Sequence, residues 1–165
     1  MIIKNQILYF GKKINLIYKD ANSFDDLPIE KCKQVYGLCF CNGKIVIGFE
    51  KHKKHWVLIG GSRESEEKLD QTLVREVKEE SNMRIIKFWP IGSQYVIQED
   101  AYQIRYCCLV EPYGPFISDP DGDIVKIKFI DQQDFSKYFD WSKIGERLVK
   151  RSLDLINKEN NSVSS

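Results

Sequence analysis

Residues 56–83 read WVLIGGSRESEEKLDQTLVREVKEESNM, from Trp56 to Met83. The stretch passes from a short strand-like run, Trp56 to Ile59, through Gly60-Gly61 into a segment where Leu69, Leu73 and Val77 recur every four residues. That period predicts a helix over about 66–82. On a wheel of about 100° per residue, Leu69, Leu73 and Val77 define an apolar stripe. Glu80 falls inside that stripe and Glu76 on its edge, with Glu79 about 60° beyond Glu76. A solvated acidic face would lie opposite the stripe and early in the helix, a placement that suits Glu66 and Glu67 but not Glu80. Glu76 and Glu80 are instead a like-charge pair four apart, costing some tenths of a kcal/mol. All three acids lie in the last two turns, where the helix dipole disfavours an anion by roughly 0.3–1 kcal/mol. Glu80 also loses water on the stripe. A bound divalent cation removes the anomaly, and oxygen ligands without thiolate or imidazole suit a hard cation such as Mg²⁺. Arg75 lies four before Glu79 and can fix its rotamer. Gly60-Gly61 lets the backbone approach a ligand closely, although alone it is an ordinary turn.

Working outward, Gln34 to Cys41 and Lys44 to Phe49 are β-prone runs joined by Asn42-Gly43, a hairpin signal. Before them, Gln6–Phe10 and Lys13–Tyr18 read as two short strands around Gly11, and 20–28 as loop. After the helix, 84–98 reads as extended chain bent near Pro90-Ile91-Gly92, and 102–111 as a strand. Residues 112–122 form a loop, and the alternation from Ile124 to Ile130 predicts a half-buried strand. A last helix is predicted over about 142–157, followed by a polar tail with no predicted order at 159–165. Strands, a helix, more strands and a final helix predict a mixed sheet with helices on its faces. Residues 1–33 read as a strand-like extension and 34–158 as the main domain.

The chain has 165 residues, enough for one domain with a sizeable core, and a formal net charge of +1. A protein that held long nucleic acid by electrostatics alone would show a basic excess, so that class is disfavoured. No apolar run approaches a membrane span, and the first ten residues lack a signal-peptide core. Five cysteines without framework spacing make a poor disulfide scaffold and point to the cytoplasm. Cys39 and Cys41 share a strand face; they read as small buried hydrophobes rather than half of a zinc site.

Taken together, Gly61, Glu67, Arg75, Glu76, Val77, Glu79, Glu80, Asn82 and Met83 resemble the Nudix box with every spacing kept. The resemblance extends from about Gln34 to Asn157 and leaves the first thirty residues uncovered. Asn82 stands where the family has Gly, at a left-handed helix end that Asn also suits. Ile59 replaces a common Pro. Lys68 stands where Ser or Thr usually caps the helix, and Glu66 replaces a common Gly, which allows an earlier start with Ser65 as the cap.

The resemblance implies an α/β fold of α+β type: an α/β/α sandwich around a central mixed sheet. It implies a Mg²⁺- or Mn²⁺-dependent pyrophosphohydrolase acting on a nucleoside diphosphate linked to another moiety. Glu76, Glu79 and Glu80 would be metal ligands, with the Gly60 carbonyl a further one. Gly61 would cradle the diphosphate, Arg75 would orient a box carboxylate, and Glu64 and Glu67 would be secondary acids. The general base would be a box glutamate or an acid of the loop Asp119-Pro120-Asp121-Gly122-Asp123, with Asp123 as candidate. Arg105 lies in a strand from which it reaches an anion or a core-edge acid. His52 and His55 flank Lys53-Lys54 at an expected hairpin tip. Tyr95, Tyr102, Tyr106 and Phe88 are bases' stacking partners or, more simply, strand packing. The rival readings are a Nudix-fold sensor that binds without cleaving, which retention of every box acid disfavours, and an RNA-binding module. The N-terminal strands leave a homodimer open.

Overall fold

A computed structural model describes residues 1–164 of the chain. Its strands are β1 (Ile2–Tyr9), β2 (Lys12–Asp20), β3 (Cys32–Cys41), β4 (Lys44–Glu50) and β5 (His55–Ser62). Helix α1 (Leu69–Ser81) follows, then β6 (Met83–Val96), β7 (Ala101–Pro112), β8 (Ile124–Ile130), α2 (Phe135–Tyr138) and α3 (Ser142–Ser164). The eight strands form one sheet in the order β1-β2-β6-β7-β3-β5-β4-β8. Only β3 and β7 run parallel, and all other pairs are antiparallel. The sheet is mixed and curled, with α1 and α3 on opposite faces, which is the expected α+β sandwich.

Each helix covers its own core. Leu73 and Val77 of α1 pack on Val35, Ile59 and Ile104, and Cys39, Cys41 and Cys108 join them. Ile144 and Leu148 of α3 pack on Leu38, Ile45, Ile47, Leu58 and Ile91. All five cysteines are free and buried, so Cys39 and Cys41 serve as small core residues. No helix among the described residues is long and apolar enough to cross a membrane.

The hairpin at Asn42-Gly43 forms with both central φ positive (51° and 80°), as its sequence predicts. Pro90 and Gly92 flank a bulge against β7, where the bend was expected. Three elements differ from the expectation. Strand β5 does not stop at Ile59; Gly60 and Gly61 pair with Tyr36 and Val35 and carry the strand to Ser62. Helix α1 begins at Leu69, because Glu66 has a φ of 68° and cannot be helical, so Lys68 rather than Ser65 holds the N-cap position. The Lys68 N–H donates to the Gln71 side chain, a partial substitute for a hydroxyl cap. Helix α3 continues to Ser164, beyond 157 and through most of the expected tail; Glu159 pairs with Lys87 of β6. Ser165, the end of that tail, lies outside the described residues.

The N-terminal strands are part of the sheet. Strand β2 pairs with β6 from Leu16↔Val96 to Asp20↔Gly92. Asp20 receives Arg147 of α3 at 2.6 Å and the N-terminal amine at 3.2 Å, which holds its carboxyl down at about 2 despite partial burial.

Candidate active site

Helix α1 ends as its sequence dictates. Asn82 takes the left-handed conformation (φ 53°, ψ 43°), and its N–H closes on the Lys78 carbonyl. That end fixes the register of the acids two and three residues earlier. Arg75 is their hub. Its Nε and Nη2 grip Glu67 at 2.7 and 2.9 Å, and its Nη1 donates to Glu76 at 2.9 Å and to Glu79 at 3.3 Å. Nη2 also reaches the Ser62 carbonyl at 3.0 Å, tying helix to strand. Glu67 accepts further bonds from the Glu64 N–H and the Thr72 hydroxyl. Its Arg75 contacts, aided by these, hold the carboxyl down at about 2.

Glu76 and Glu80 behave oppositely. Glu76 is only 8% exposed, and burial pushes it up to about 7 against the pull of Arg75, with Glu79 and Asp119 adding repulsion. Glu80 makes no ion pair among the described residues. Burial pushes it up to about 9, opposed by the Gly60 N–H, which donates to Glu80 Oε2 at 2.9 Å. Glu76, Asp119 and Asp123 raise it further. The two glycines make this arrangement possible. A Cβ on Gly60 would sit 2.2 Å from the Val35 carbonyl, and one on Gly61 2.6 Å from the Glu76 carboxylate. The stripe position of Glu80 therefore gives the desolvated carboxylate that its sequence context foretells.

Clustered hard oxygen donors, one of them without a cationic partner, are the donor set that suits a divalent cation. Arg75 meets Glu76 and Glu79 but leaves Glu80 uncompensated. Gly60 meets Glu80 through its N–H; its expected carbonyl contact to a metal is untouched by this. Among the described residues, the group of ligand atoms lying within 4.8 Å of one another is a different one, Glu50, His52 and Asp123. There Glu50 is already occupied by the His52 and Lys53 N–H groups. Asp123 is 53% exposed and lies 3.6 Å from His52 Nε2. Asp119, in the same loop, is buried and accepts from the Asp121 and Ile124 N–H groups.

On the α3 side of the sheet lies a cavity of about 610 Å³. Arg105 is buried in its floor without an acid partner. Nη2 donates to Gln103 at 2.9 Å, while Nε and Nη1 have no hydrogen-bond partner. Its guanidinium lies over Tyr36 at 4.8 Å and over Trp141 at 5.8 Å from the ring centres. Burial lowers its pKa to about 10. Tyr36 links this cavity to the acids: burial pushes its hydroxyl up to about 12, Arg105 pulls it down, and Glu80 and Glu76 push it up. His55 lines the cavity, whereas His52 stands at the exposed tip of the β4–β5 turn.

Other candidates resolve as packing. Tyr106 meets Phe24 and Phe88 edge-on under α1, and Tyr95 lies against Tyr102. A more open hollow of about 800 Å³ adjoins Tyr106 and the start of α1, away from the unpartnered Arg105 atoms. Sequence reasoning did not single out Tyr36, Trp141 or Asp119. Tyr36 faces Gly60 across the β3–β5 pair, a relation only the sheet register reveals.

Comparison with known proteins agrees with this geometry. The family model described as NUDIX domain matches residues 34–151. No curated protein sequence matches. Among solved structures, a mutant of the Bacillus subtilis pyrophosphohydrolase BsRppH is similar, with a TM-score of 0.66 at 16% identity, over 94% of this chain and 97% of that one. A Caenorhabditis elegans Ap4A hydrolase complex gives 0.58 at 17%, over 76% and 99%. A NUDIX family hydrolase from Clostridium perfringens gives 0.57 at 17%, over 74% and 95%.

Proposed function

The chain belongs to the NUDIX domain family, and from that premise we propose that it hydrolyses the pyrophosphate bond of a nucleoside diphosphate linked to another moiety. The observation that carries this reading is adjacency. Tyr36 pairs with Gly60, whose N–H donates to Glu80, and also lines a cavity with aromatic walls and an unpartnered guanidinium. The nucleoside belongs in the cavity. Its base lies against Trp141 and Tyr36, with acceptor atoms toward Arg105 Nε and Nη1. The diphosphate then reaches Gly60-Gly61 and the end of α1.

Glu76, Glu79 and Glu80, with the Gly60 carbonyl, would hold Mg²⁺ or Mn²⁺. A bound divalent cation supplies charge neutralisation at the phosphoryl oxygens and a lowered pKa for the attacking water. Arg75 is a positioning residue in this scheme. By tying Glu67, Glu76 and Glu79 to the Ser62 carbonyl, it sets their rotamers before substrate arrives. Water attacks one phosphorus in line with the leaving phosphate oxygen. Its proton passes to a carboxylate, either a box glutamate or Asp123, whose exposed position leaves room to swing toward the reacting phosphorus. Five free, buried cysteines fit a reducing compartment such as the cytoplasm.

The test is mass spectrometry of a panel of nucleoside triphosphates, dinucleoside polyphosphates and nucleotide sugars incubated with the protein and Mg²⁺. The expected product is a nucleoside monophosphate or a nucleotide shortened at the pyrophosphate bond. Ligand that binds but stays intact would replace the hydrolase by the sensor reading.

A further inference from the structure

The β1–β2 hairpin lies outside the segment that matches the family model, yet it borders the cavity that the proposed function uses. Strand β1 pairs with β2 along its whole length, from Ile2↔Lys19 to Tyr9↔Lys12. Strand β2 pairs with β6 only from Leu16 to Asp20. The tip half of the hairpin therefore projects past the sheet, braced there by Gln98, whose side chain accepts the Asn15 N–H at 2.9 Å. Alternate β1 residues, Ile3, Asn5 and Ile7, are half-buried, and Asn5, Ile7 and Tyr9 line the cavity.

The tip meets the far end of the sheet. Strands β1 and β5 are five places apart in the sheet order, but the Lys53 ammonium from the β4–β5 turn lies 5.8 Å from the Tyr9 ring centre. Tyr9 lines the same cavity as Tyr36 and Arg105. The turn itself is costly. Phe10 adopts a φ of 48°, a conformation that a bulky residue avoids and Asn would accept. Phe10 is 75% exposed and gains only an edge contact with Tyr9 at 4.6 Å. Core packing thus does not account for the strain.

We propose that this hairpin is the specificity wall of the nucleoside cavity, with Tyr9 and Lys53 as a clasp over its mouth. The proposal rests on the reading of the cavity as a nucleoside site. Arg105, Tyr36 and Trp141 supply one side of a slot suited to a planar ring. Tyr9 supplies a second aromatic surface, which the Lys53 ammonium, 5.8 Å from its ring centre, holds over the mouth. Tyr9 and Lys53 act on binding, not on the reacting phosphorus, and both stand away from the acid cluster.

The experiment is titration of the full chain, without divalent ion, with the four common nucleoside 5′-monophosphates and separately with inorganic tripolyphosphate. Trp56 and Trp141 line the cavity and report binding by fluorescence, with calorimetry alongside. Tyr9→Ala should weaken the best-bound monophosphate about tenfold, the order of one base–aromatic stack. Tyr9→Phe should restore it, and tripolyphosphate affinity should be unchanged in both. Lys53→Ala, which frees the Tyr9 ring, should weaken the monophosphates less than Tyr9→Ala does and leave tripolyphosphate affinity unchanged. With a hydrolysed substrate, Tyr9→Ala should raise KM by the same factor and leave kcat within twofold. Wild-type affinity for the monophosphates in Tyr9→Ala, or an equal loss toward tripolyphosphate, overturns the proposal, as does absence of monophosphate binding by the wild type. Clear monophosphate binding with the expected Tyr9 effect, but no hydrolysis of any panel member, refutes the proposed activity and leaves the hairpin assignment standing.

Discussion

Glu80→Gln should make the cation-free protein more stable while removing most of its activity. Glu80 accepts the Gly60 N–H and makes no ion pair, and burial pushes its pKa to about 9. At pH 7 the folded chain keeps this carboxyl protonated although its ordinary value is 4.5. Taking up that proton costs about 3 kcal/mol at 1.36 kcal/mol per pH unit. Glutamine has the same shape, keeps the acceptor toward Gly60 and needs no proton. Allowing for a poorer fit of the amide nitrogen, a gain of about 1–3 kcal/mol is expected, or roughly 2–10 °C in melting temperature for a chain of this size. The sign of the pH dependence follows. A carboxyl raised in the folded state binds more protons folded than unfolded, so stability falls as pH rises between about 4.5 and 9. Glu80→Gln removes that slope, while Glu76, raised to about 7, keeps a weaker one in the lower part of the window. Glu67 acts oppositely, its contribution being lost only as pH falls from 4.5 toward about 2, so it does not disturb the comparison. The assay is a set of thermal melts in EDTA from pH 5 to 9, repeated with excess Mg²⁺, and a turnover measurement. The wild type should gain stability from Mg²⁺ by mass action, and the variant much less. Equal or lower stability of the variant at pH 8 in EDTA, or near-full turnover with Mg²⁺, would refute the reasoning.

Substitutions at two other positions probe the frame around that cluster. Arg105→Met removes a buried guanidinium whose Nε and Nη1 are unpartnered, so melts should show unchanged or raised stability while KM for a nucleotide substrate rises at least ~tenfold, the order of a lost charged hydrogen bond; a KM within twofold of wild type would separate Arg105 from substrate. Asn82→Gly should be tolerated, whereas Asn82→Val should cost at least ~1 kcal/mol for the left-handed conformation and lower activity by shifting Glu79 and Glu80; equal melts and rates for the two would show that this conformation does not govern the helix end.

The box and the site differ in how far sequence reaches them. The anomalous placement of Glu80 was legible because a helix is a local object: three apolar residues four apart fix which way every neighbour points. The same locality made the Asn42-Gly43 turn and the Asn82 helix end readable, each being set by one or two residues. The start of α1 was misplaced because Ser65 is a better cap than Lys68 by propensity alone. The competing demand came from Arg75, which needs Glu67 outside the helix to receive its fork. That tertiary bond outweighs a cap worth about 1 kcal/mol. Helix α3 likewise outran its polar sequence, with Lys87 on β6 holding Glu159.

The cavity was illegible for a deeper reason. Its walls come from β1, β2, β3, β5, β6, β7 and the turn before α3, segments separated by up to about 140 positions. Sequence offers Arg105 as a strand cation able to reach an anion, but not the rings that surround it. Only the parallel register Tyr36↔Arg105 puts an aromatic ring beside it, and only the antiparallel register Tyr36↔Gly60 puts that ring beside the box. Tyr36 is therefore the residue through which local chemistry becomes a site. Its neighbour on β7 leaves a guanidinium without an acid, and its neighbour on β5 hands an N–H to Glu80. A Nudix box supplies the acids wherever it folds. In the proposed function, the acids of this chain would select a substrate through the pairing of β3 with two strands that the box itself does not contain in full. The least predictable wall, the hairpin bearing Tyr9, lies farthest from the box in sequence among the cavity's strands.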